Sequence, residues 1–148
     1  MKTSARFLLL VLLGSLSLTA CGESSLTREA HPTTLNGTVW RVVAINGRSP
    51  VAGSEPTIAF APARVTGSAG CNTYNGTYHY DPSTGAIGFD QAAMTAMACI
   101  EQARMQVEAN FTRAMIQATS ASIDAQGRLV LTGPGGEIVL AVDGVPSS

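Results

Sequence analysis

Short runs of β-branched and aromatic residues, each ended by a turn signal, follow one another along most of this chain. Asn46-Gly47, Asp81-Pro82 and Gln126-Gly127 are such signals, and connections this short join strands that are antiparallel neighbours. Closing the sheet would remove its exposed edges. We therefore predict a mainly β (α+β) fold, a small antiparallel β-meander barrel of about eight strands. The predicted strands cover residues 38–45, 57–61, 64–68, 76–80, 85–89, 120–124, 128–131 and 137–142.

One stretch, residues 100–118, interrupts the strands and has the apolar spacing of a helix. Its apolar residues recur on one face, while polar residues such as Gln106 and Gln117 occupy the other. We therefore predict one amphipathic helix that packs on the barrel. The apolar stripe consists of Ile100, Ala103, Val107, Phe111, Ala114, Met115 and Ala118.

The strands alternate with period two, which predicts the side chains that point into the barrel. Most of them are large, so we expect them to fill the interior together with the helical stripe. The predicted inward positions are Trp40, Val42, Ile58, Phe60, Val65, Ile87, Phe89, Ile123, Leu129, Leu131, Ile138 and Leu140.

The N-terminus has the features of a secretory signal. Two basic residues precede an uncharged apolar run at residues 7–18, which is too short to span a bilayer comfortably. The run ends in LTAC (residues 18–21), which resembles the lipobox of bacterial lipoproteins. We expect cleavage between Ala20 and Cys21, and a diacylglycerol thioether and an N-acyl chain such as palmitate on Cys21. An ordinary secretory signal that ends near a free cysteine is the alternative.

This signal divides the chain and indicates a location. We expect residues 1–20 to be removed, 21–34 to form the lipidated cysteine and a flexible tether, 35–143 to form the domain, and 144–148 to be a frayed tail. Retention in the inner membrane chiefly requires aspartate after the lipidated cysteine, and this chain has Gly22. We therefore expect a lipid-anchored protein of the outer membrane that faces the periplasm.

The charge of the predicted mature chain is mildly negative. Removal of the first 20 residues takes two of nine basic residues and none of ten acidic ones, which leaves a net charge of −3. Nucleic-acid binding needs clustered lysine and arginine, so we expect no nucleic-acid partner. The remaining length suits one domain with a single core, which we expect to be a monomer.

Two cysteines remain after lipidation, Cys71 and Cys99, 28 positions apart. In an oxidising compartment an even pair indicates a disulfide, and we predict that these two form one. Free thiols, a metal site and a catalytic cysteine are the alternatives. A metal site would need more ligands and a catalytic cysteine would need a histidine, and His79 is the single candidate for either role.

No catalytic or metal constellation is visible elsewhere in the sequence. The stretch TGSAG (residues 66–70) has threonine where a nucleophile elbow needs glycine, and the acidic residues are scattered. Aromatic residues cluster in the fourth strand at Tyr74, Tyr78, His79 and Tyr80. We interpret this cluster as an aromatic sheet face, with a small recognition patch as the alternative.

Three motifs carry a resemblance to a known family. AINGRSPV (residues 44–51), GSAGCNTYNG (67–76) and AMTAMAC (93–99) occur in an order and spacing that resemble the META domain family, including its HslJ-like heat-shock lipoproteins. The resemblance implies a small antiparallel barrel with one helix and no established catalytic residues. Family members often have arginine in the segment that matches MTAMAC, where this chain has Ala96. Any role of that arginine is therefore in doubt here.

These observations favour a non-enzymatic lipoprotein module of the cell envelope. The resemblance implies envelope maintenance or tolerance of stress and antibiotics, with an envelope protein or lipopolysaccharide as partner and the membrane reached through the lipid anchor. Apart from the lipid on Cys21, we expect no cofactor. The alternative is a carrier of a lipid or small apolar ligand inside the barrel, which the large inward side chains disfavour.

Overall fold

The computed structural model describes residues 30–97 and 99–144. Its strands form one closed antiparallel barrel in which neighbours in sequence are neighbours in space, and the last strand pairs with the first. The predicted mainly β barrel with one helix is therefore confirmed. The elements are β1 (Val39–Ile45), β2 (Thr57–Ala61), β3 (Arg64–Ser68), β4 (Thr73–Asp81), β5 (Ala86–Met94), α1 (Gln102–Ile116), β6 (Ser120–Ile123), β7 (Leu129–Gly133) and β8 (Gly136–Gly144).

The barrel has two different ends. The β1–β2 loop, the β3–β4 turn, the β7–β8 turn and α1 lie at one end, which we call the helix end. The other end, which we call the entry end, carries the remaining hairpin turns, the residues before β1 and the end of β8. At the entry end the side chains of Arg41 and Asp143 form an ion pair across β1 and β8.

The barrel interior is filled by side chains. Phe60, Ile58, Leu129, Leu131 and Leu140 are at most 1 % exposed, so no space is left around them for water. Every predicted inward residue is buried except Ile123, which is partly buried because it lies at the entry end of the short strand β6. The alternation of the strands therefore predicted the interior well.

The helix starts later than its apolar spacing predicted. Ile100 precedes α1 and is fully exposed, and Ala103, in the first turn, is exposed as well. The first turn of α1 extends past the rim of the barrel, so the buried stripe begins only at Val107. From there the prediction holds, because Phe111, Ala114, Met115 and Ala118 are all buried.

The glycines of the β7–β8 turn let the helix backbone come close. A Cβ atom on Gly133 would lie 2.0 Å from the Gln117 carbonyl oxygen, and one on Gly135 would lie 2.5 Å from that of Arg113. Any side chain at these positions would push α1 away from the barrel. The turn sequence GPGG thus fixes where the second half of the helix lies.

The described residues before β1 contact the entry end. The Ala30 carbonyl accepts a hydrogen bond from the Ile123 amide, a ring nitrogen of His31 lies 3.2 Å from the Ala121 carbonyl oxygen, and the Tyr80 hydroxyl donates to the Pro32 carbonyl. Residues 30–32 are therefore held against the barrel. The predicted signal, Ala20, Cys21 and the tail 145–148 lie outside the described residues. Within residues 30–97 and 99–144, no helix is both long and apolar enough to cross a bilayer.

Candidate functional site

The three sequence motifs lie around the first half of α1, at the helix end. AINGRSPV forms the end of β1 and the start of the β1–β2 loop, and GSAGCNTYNG spans the end of β3, the β3–β4 turn and the start of β4. The described part of AMTAMAC ends β5 and leads towards the helix. Segments far apart in sequence therefore build one region.

Asn72, in the β3–β4 turn, joins two of these segments to the helix. Its side-chain oxygen accepts hydrogen bonds from the Met97 amide (2.7 Å) and the Thr95 hydroxyl (2.9 Å). Its backbone amide and side-chain amide donate to the two carboxylate oxygens of Glu108, at 2.7 and 3.0 Å. Asn72 is 6 % exposed, so these bonds are sheltered from water and hold the turn, the β5–α1 loop and α1 together.

Gly67 and Tyr74 connect the same region to β2. The Tyr74 hydroxyl donates to the Thr57 carbonyl at 2.8 Å, and its ring centroid lies 5.8 Å from that of Phe111. A Cβ atom on Gly67 would lie 2.0 Å from the Thr57 carbonyl oxygen and 2.9 Å from the Tyr74 hydroxyl. Gly67, in the stretch TGSAG that does not match a nucleophile elbow, is therefore needed for close packing against β2 and Tyr74. Burial raises the pKa of Tyr74 above its ordinary value.

The structure joins Cys71 and Cys99 in a disulfide, with Cα atoms 6.2 Å apart. This distance is normal for a disulfide. The bridge ties the β3–β4 turn to the segment just before α1, beside the bonds of Asn72. Met97, 64 % exposed, and Ile100 lie next to the bridge and present apolar surface to solvent.

A groove runs between the β1–β2 loop and α1, outside the barrel; we call it the helix-end groove. Its volume is about 510 Å³, within the range of ligand sites. One wall is the loop that follows β1, and the other is the flank of α1 that faces away from Asn72. Its lining includes Ile45, Arg48, Val51, Ala103, Gln106 and Val107.

Asn46 fixes the loop wall of this groove. Its side-chain oxygen accepts a hydrogen bond from the Glu137 amide at 2.8 Å, and its own amide donates to the Glu137 carbonyl at 2.9 Å. Asn46 has a φ of 50°, a left-handed conformation that asparagine tolerates better than most residues. The Asn46-Gly47 turn is thereby held against the start of β8.

The aromatic cluster of β4 is split in the structure. Tyr74 is buried under α1, whereas Tyr78, His79 and Tyr80 line an open cleft of about 430 Å³ at the entry end. The Tyr78 ring packs edge-on against Phe60, with centroids 4.9 Å apart, and burial raises the pKa of Tyr78. His79 points outward, 3.4 Å from the Asp90 carboxylate. Three of the four proposed patch residues are therefore together.

Clusters of metal-ligating or acid–base side chains are sparse among the described residues. Among residues 30–97 and 99–144, no three His, Cys, Asp or Glu side chains are close enough to hold a metal ion. The His79–Asp90 pair has more than 60 % of each side chain exposed. The helix-end groove combines apolar and polar groups around a concave surface, the usual composition of a ligand site.

The sequence alone did not reveal Asn72, Glu108 or the helix-end groove. Asn72 lies next to Cys71 in a motif that was interpreted through its cysteine. Glu108 lies on the predicted helix, where an acidic residue is usually exposed to solvent. A buried asparagine beside a disulfide is a signal that could have been found, because a polar residue between two packed elements needs partners. The groove depends on the path of the eleven-residue loop between β1 and β2, which has no periodic pattern to predict it.

Comparison with known proteins agrees with this architecture. Among solved structures, an NMR structure of a protein from Burkholderia xenovorans is 22% identical, with 72% of this chain and 81% of that chain covered and a TM-score of 0.56. A crystal structure of a DUF4847 family protein from Bacteroides vulgatus is 16% identical, with 76% and 96% covered and a TM-score of 0.52. At these identities the likeness shows the fold.

The sequence comparisons are more specific about the family. A search of curated proteins gives no match. The model of the META domain matches residues 33–144, which includes all three motifs and every strand of the barrel. The chain therefore belongs to the META domain family.

Proposed function

We propose that this protein is a non-enzymatic lipoprotein of the cell envelope that binds its partners at the helix-end groove. We propose that it acts in envelope maintenance or in tolerance of stress and antibiotics. The observation that supports it is the position of this groove. It lies at the helix end, whereas Ala30, the first described residue, lies at the entry end. A chain anchored through Cys21 would hold its entry end towards the membrane and its groove towards the periplasm.

The length of the predicted tether is consistent with this orientation. From Cys21 to Ala30 the extended chain spans at most about 30 Å, so the entry end would stay close to the outer membrane. The groove would then be accessible to an envelope protein or to a soluble ligand. The filled interior leaves the outer surface as the place for binding, which favours an interaction module over a carrier.

Site-specific photo-crosslinking in the native envelope tests the proposal. A photoreactive residue at Val51, which lines the groove and is 43 % exposed, is expected to form a discrete adduct. The control is the same residue at Thr77, which is exposed on the outer wall of β4. Equal adducts at both positions, or none at Val51 at matched expression, would remove the groove from the proposal.

A further inference from the structure

We infer that the helix-end groove binds the C-terminal carboxylate of a protein whose last side chains are apolar. The inference rests on the proposed function, because it uses the same groove, and it adds the chemistry of the partner. Three features of the groove carry it: an apolar floor, a surplus of hydrogen-bond donors, and a guanidinium group that forms no ion pair with any described residue.

The floor of the groove is apolar. Ile45 and Val107 lie at its base, and Pro50, Val51 and Ala103 line its sides. Ile45 and Val107 are buried, whereas Val51 and Ala103 remain exposed to solvent. An apolar side chain that entered the groove would cover this surface and remove it from water, which favours binding.

The asparagine side chains at the groove have occupied acceptors and free donors. The side-chain oxygen of Asn46 accepts a hydrogen bond from the Glu137 amide, so the NH₂ group of Asn46 remains available as a donor. The oxygen of Asn110 accepts from Gln106 Nε2 (3.2 Å) and Arg113 Nη2 (3.3 Å), which again leaves the NH₂ group. Within the described residues neither NH₂ group has a partner, and a ligand rich in acceptors would satisfy them.

Arg48 gives the groove its charge. The side chain is exposed, it makes no ion pair within residues 30–97 and 99–144, and no acidic residue lines the groove. A guanidinium group donates two parallel hydrogen bonds to a carboxylate, a geometry that ammonium groups lack. The groove is therefore complementary to a carboxylate attached to an apolar group.

A chain terminus fits these features better than a membrane lipid. The groove lies at the opposite end of the barrel from Ala30, so a lipid of the anchoring membrane would have to reach past the whole domain. A volume of about 510 Å³ accommodates a few residues at the end of a peptide. Capture of a terminal carboxylate is also a recurring mode of peptide recognition.

A peptide selection experiment tests the inference. The mature acylated protein in phospholipid nanodiscs is mixed with a pool of acetylated hexapeptides whose last three positions are randomised and whose C-terminus is a free carboxylate. The same pool with C-terminal amides and octanoate alone are the two other arms. We expect enrichment of carboxylate peptides with apolar last residues, and binding of the best one at least about tenfold weaker as its amide.

Matched variants locate the binding. Arg48→Gln is expected to weaken the selected peptide about tenfold and to abolish the difference between carboxylate and amide. Arg64→Gln, which alters an exposed arginine on β3 away from the groove, is expected to change nothing. Equal binding of carboxylate and amide peptides, octanoate as tight as the best peptide, or no binding up to about 1 mM would each overturn the inference. None of these results would contradict a crosslink at Val51, so the crosslinking experiment tests the proposed function separately from this inference.

Discussion

Asn72 is the residue on which the helix end depends most for its polar contacts. Substitution by alanine would leave the Met97 amide without its acceptor, the Thr95 hydroxyl without one of its partners and the Glu108 Oε1 atom without its donor. Unsatisfied groups at a buried site are costly, so we expect Asn72→Ala to lower the free energy of unfolding by about 3 kcal/mol in urea titrations.

The control for this prediction is Asn75→Ala. Asn75 is three residues further along the chain and exposed on the outer face of β4, and its substitution is expected to change the free energy of unfolding by less than about 0.5 kcal/mol. Equal effects of the two substitutions would mean that the bonds of Asn72 add nothing to stability.

Tyr74 links stability to alkaline pH. Burial raises its pKa in the folded state above the unfolded value of about 10. The contribution of the neutral hydroxyl is therefore complete below pH 10 and is lost as the pH rises above it. Tyr74→Phe should lower stability at pH 7 by about 1 kcal/mol, through the lost bond to Thr57, and should make the decline above pH 10 shallower. Parallel declines in the two proteins would contradict this.

At the scale of elements, the short strands were predictable, whereas the full lengths of β4 and β5, predicted as 76–80 and 85–89, and the start of the helix were not. Period-two alternation and turn signals predicted β2 and β3 to the residue, because both are short and bounded by turns. The helical stripe was extended to Ile100 because apolar spacing continues there. The disulfide and Asn72 hold that segment as a loop, and neither constraint is part of a helical pattern.

The helix contributes to stability through one face. Phe111 is fully buried against Tyr74, and removing its ring would leave a cavity. We expect Phe111→Ala to cost about 3–5 kcal/mol, measured by urea or thermal unfolding. Gln106→Ala, at an exposed position of α1, and Gln117→Ala, at the exposed C-cap, should cost little. If Phe111→Ala melted like the wild type and native mass spectrometry detected bound lipid, the interpretation of a filled barrel would be wrong and the protein would be a carrier.

The disulfide is the covalent link between the β3–β4 turn and the segment before α1. Thiol alkylation of the unreduced, denatured protein is expected to modify neither Cys71 nor Cys99, and reduction is expected to cost roughly 3–4 kcal/mol for a loop of this size. Full labelling of both cysteines would mean free thiols and would reopen the alternatives of metal binding and catalysis.

For the whole molecule, the fold followed from the sequence and the binding site did not. A barrel needs only regular alternation and short turns, and both are local properties of the chain. The helix-end groove needs the relative position of Arg48 and Gln106, 58 positions apart, which depends on how the β1–β2 loop is held by Asn46 and how α1 is held by Asn72. Single asparagines therefore determine a site that no periodic pattern indicates.

Lipidation of Cys21 is the claim on which the cellular account depends, since it determines the location of the protein and which barrel end faces the membrane. Metabolic labelling with a palmitate analogue tests it directly, in cells that express the wild type or Cys21→Ser, with Cys71→Ser as the matched control for loss of a cysteine. We predict labelling of the wild type and of Cys71→Ser in the outer-membrane fraction, and an unlabelled, uncut precursor for Cys21→Ser. Normal labelling of Cys21→Ser would contradict the account.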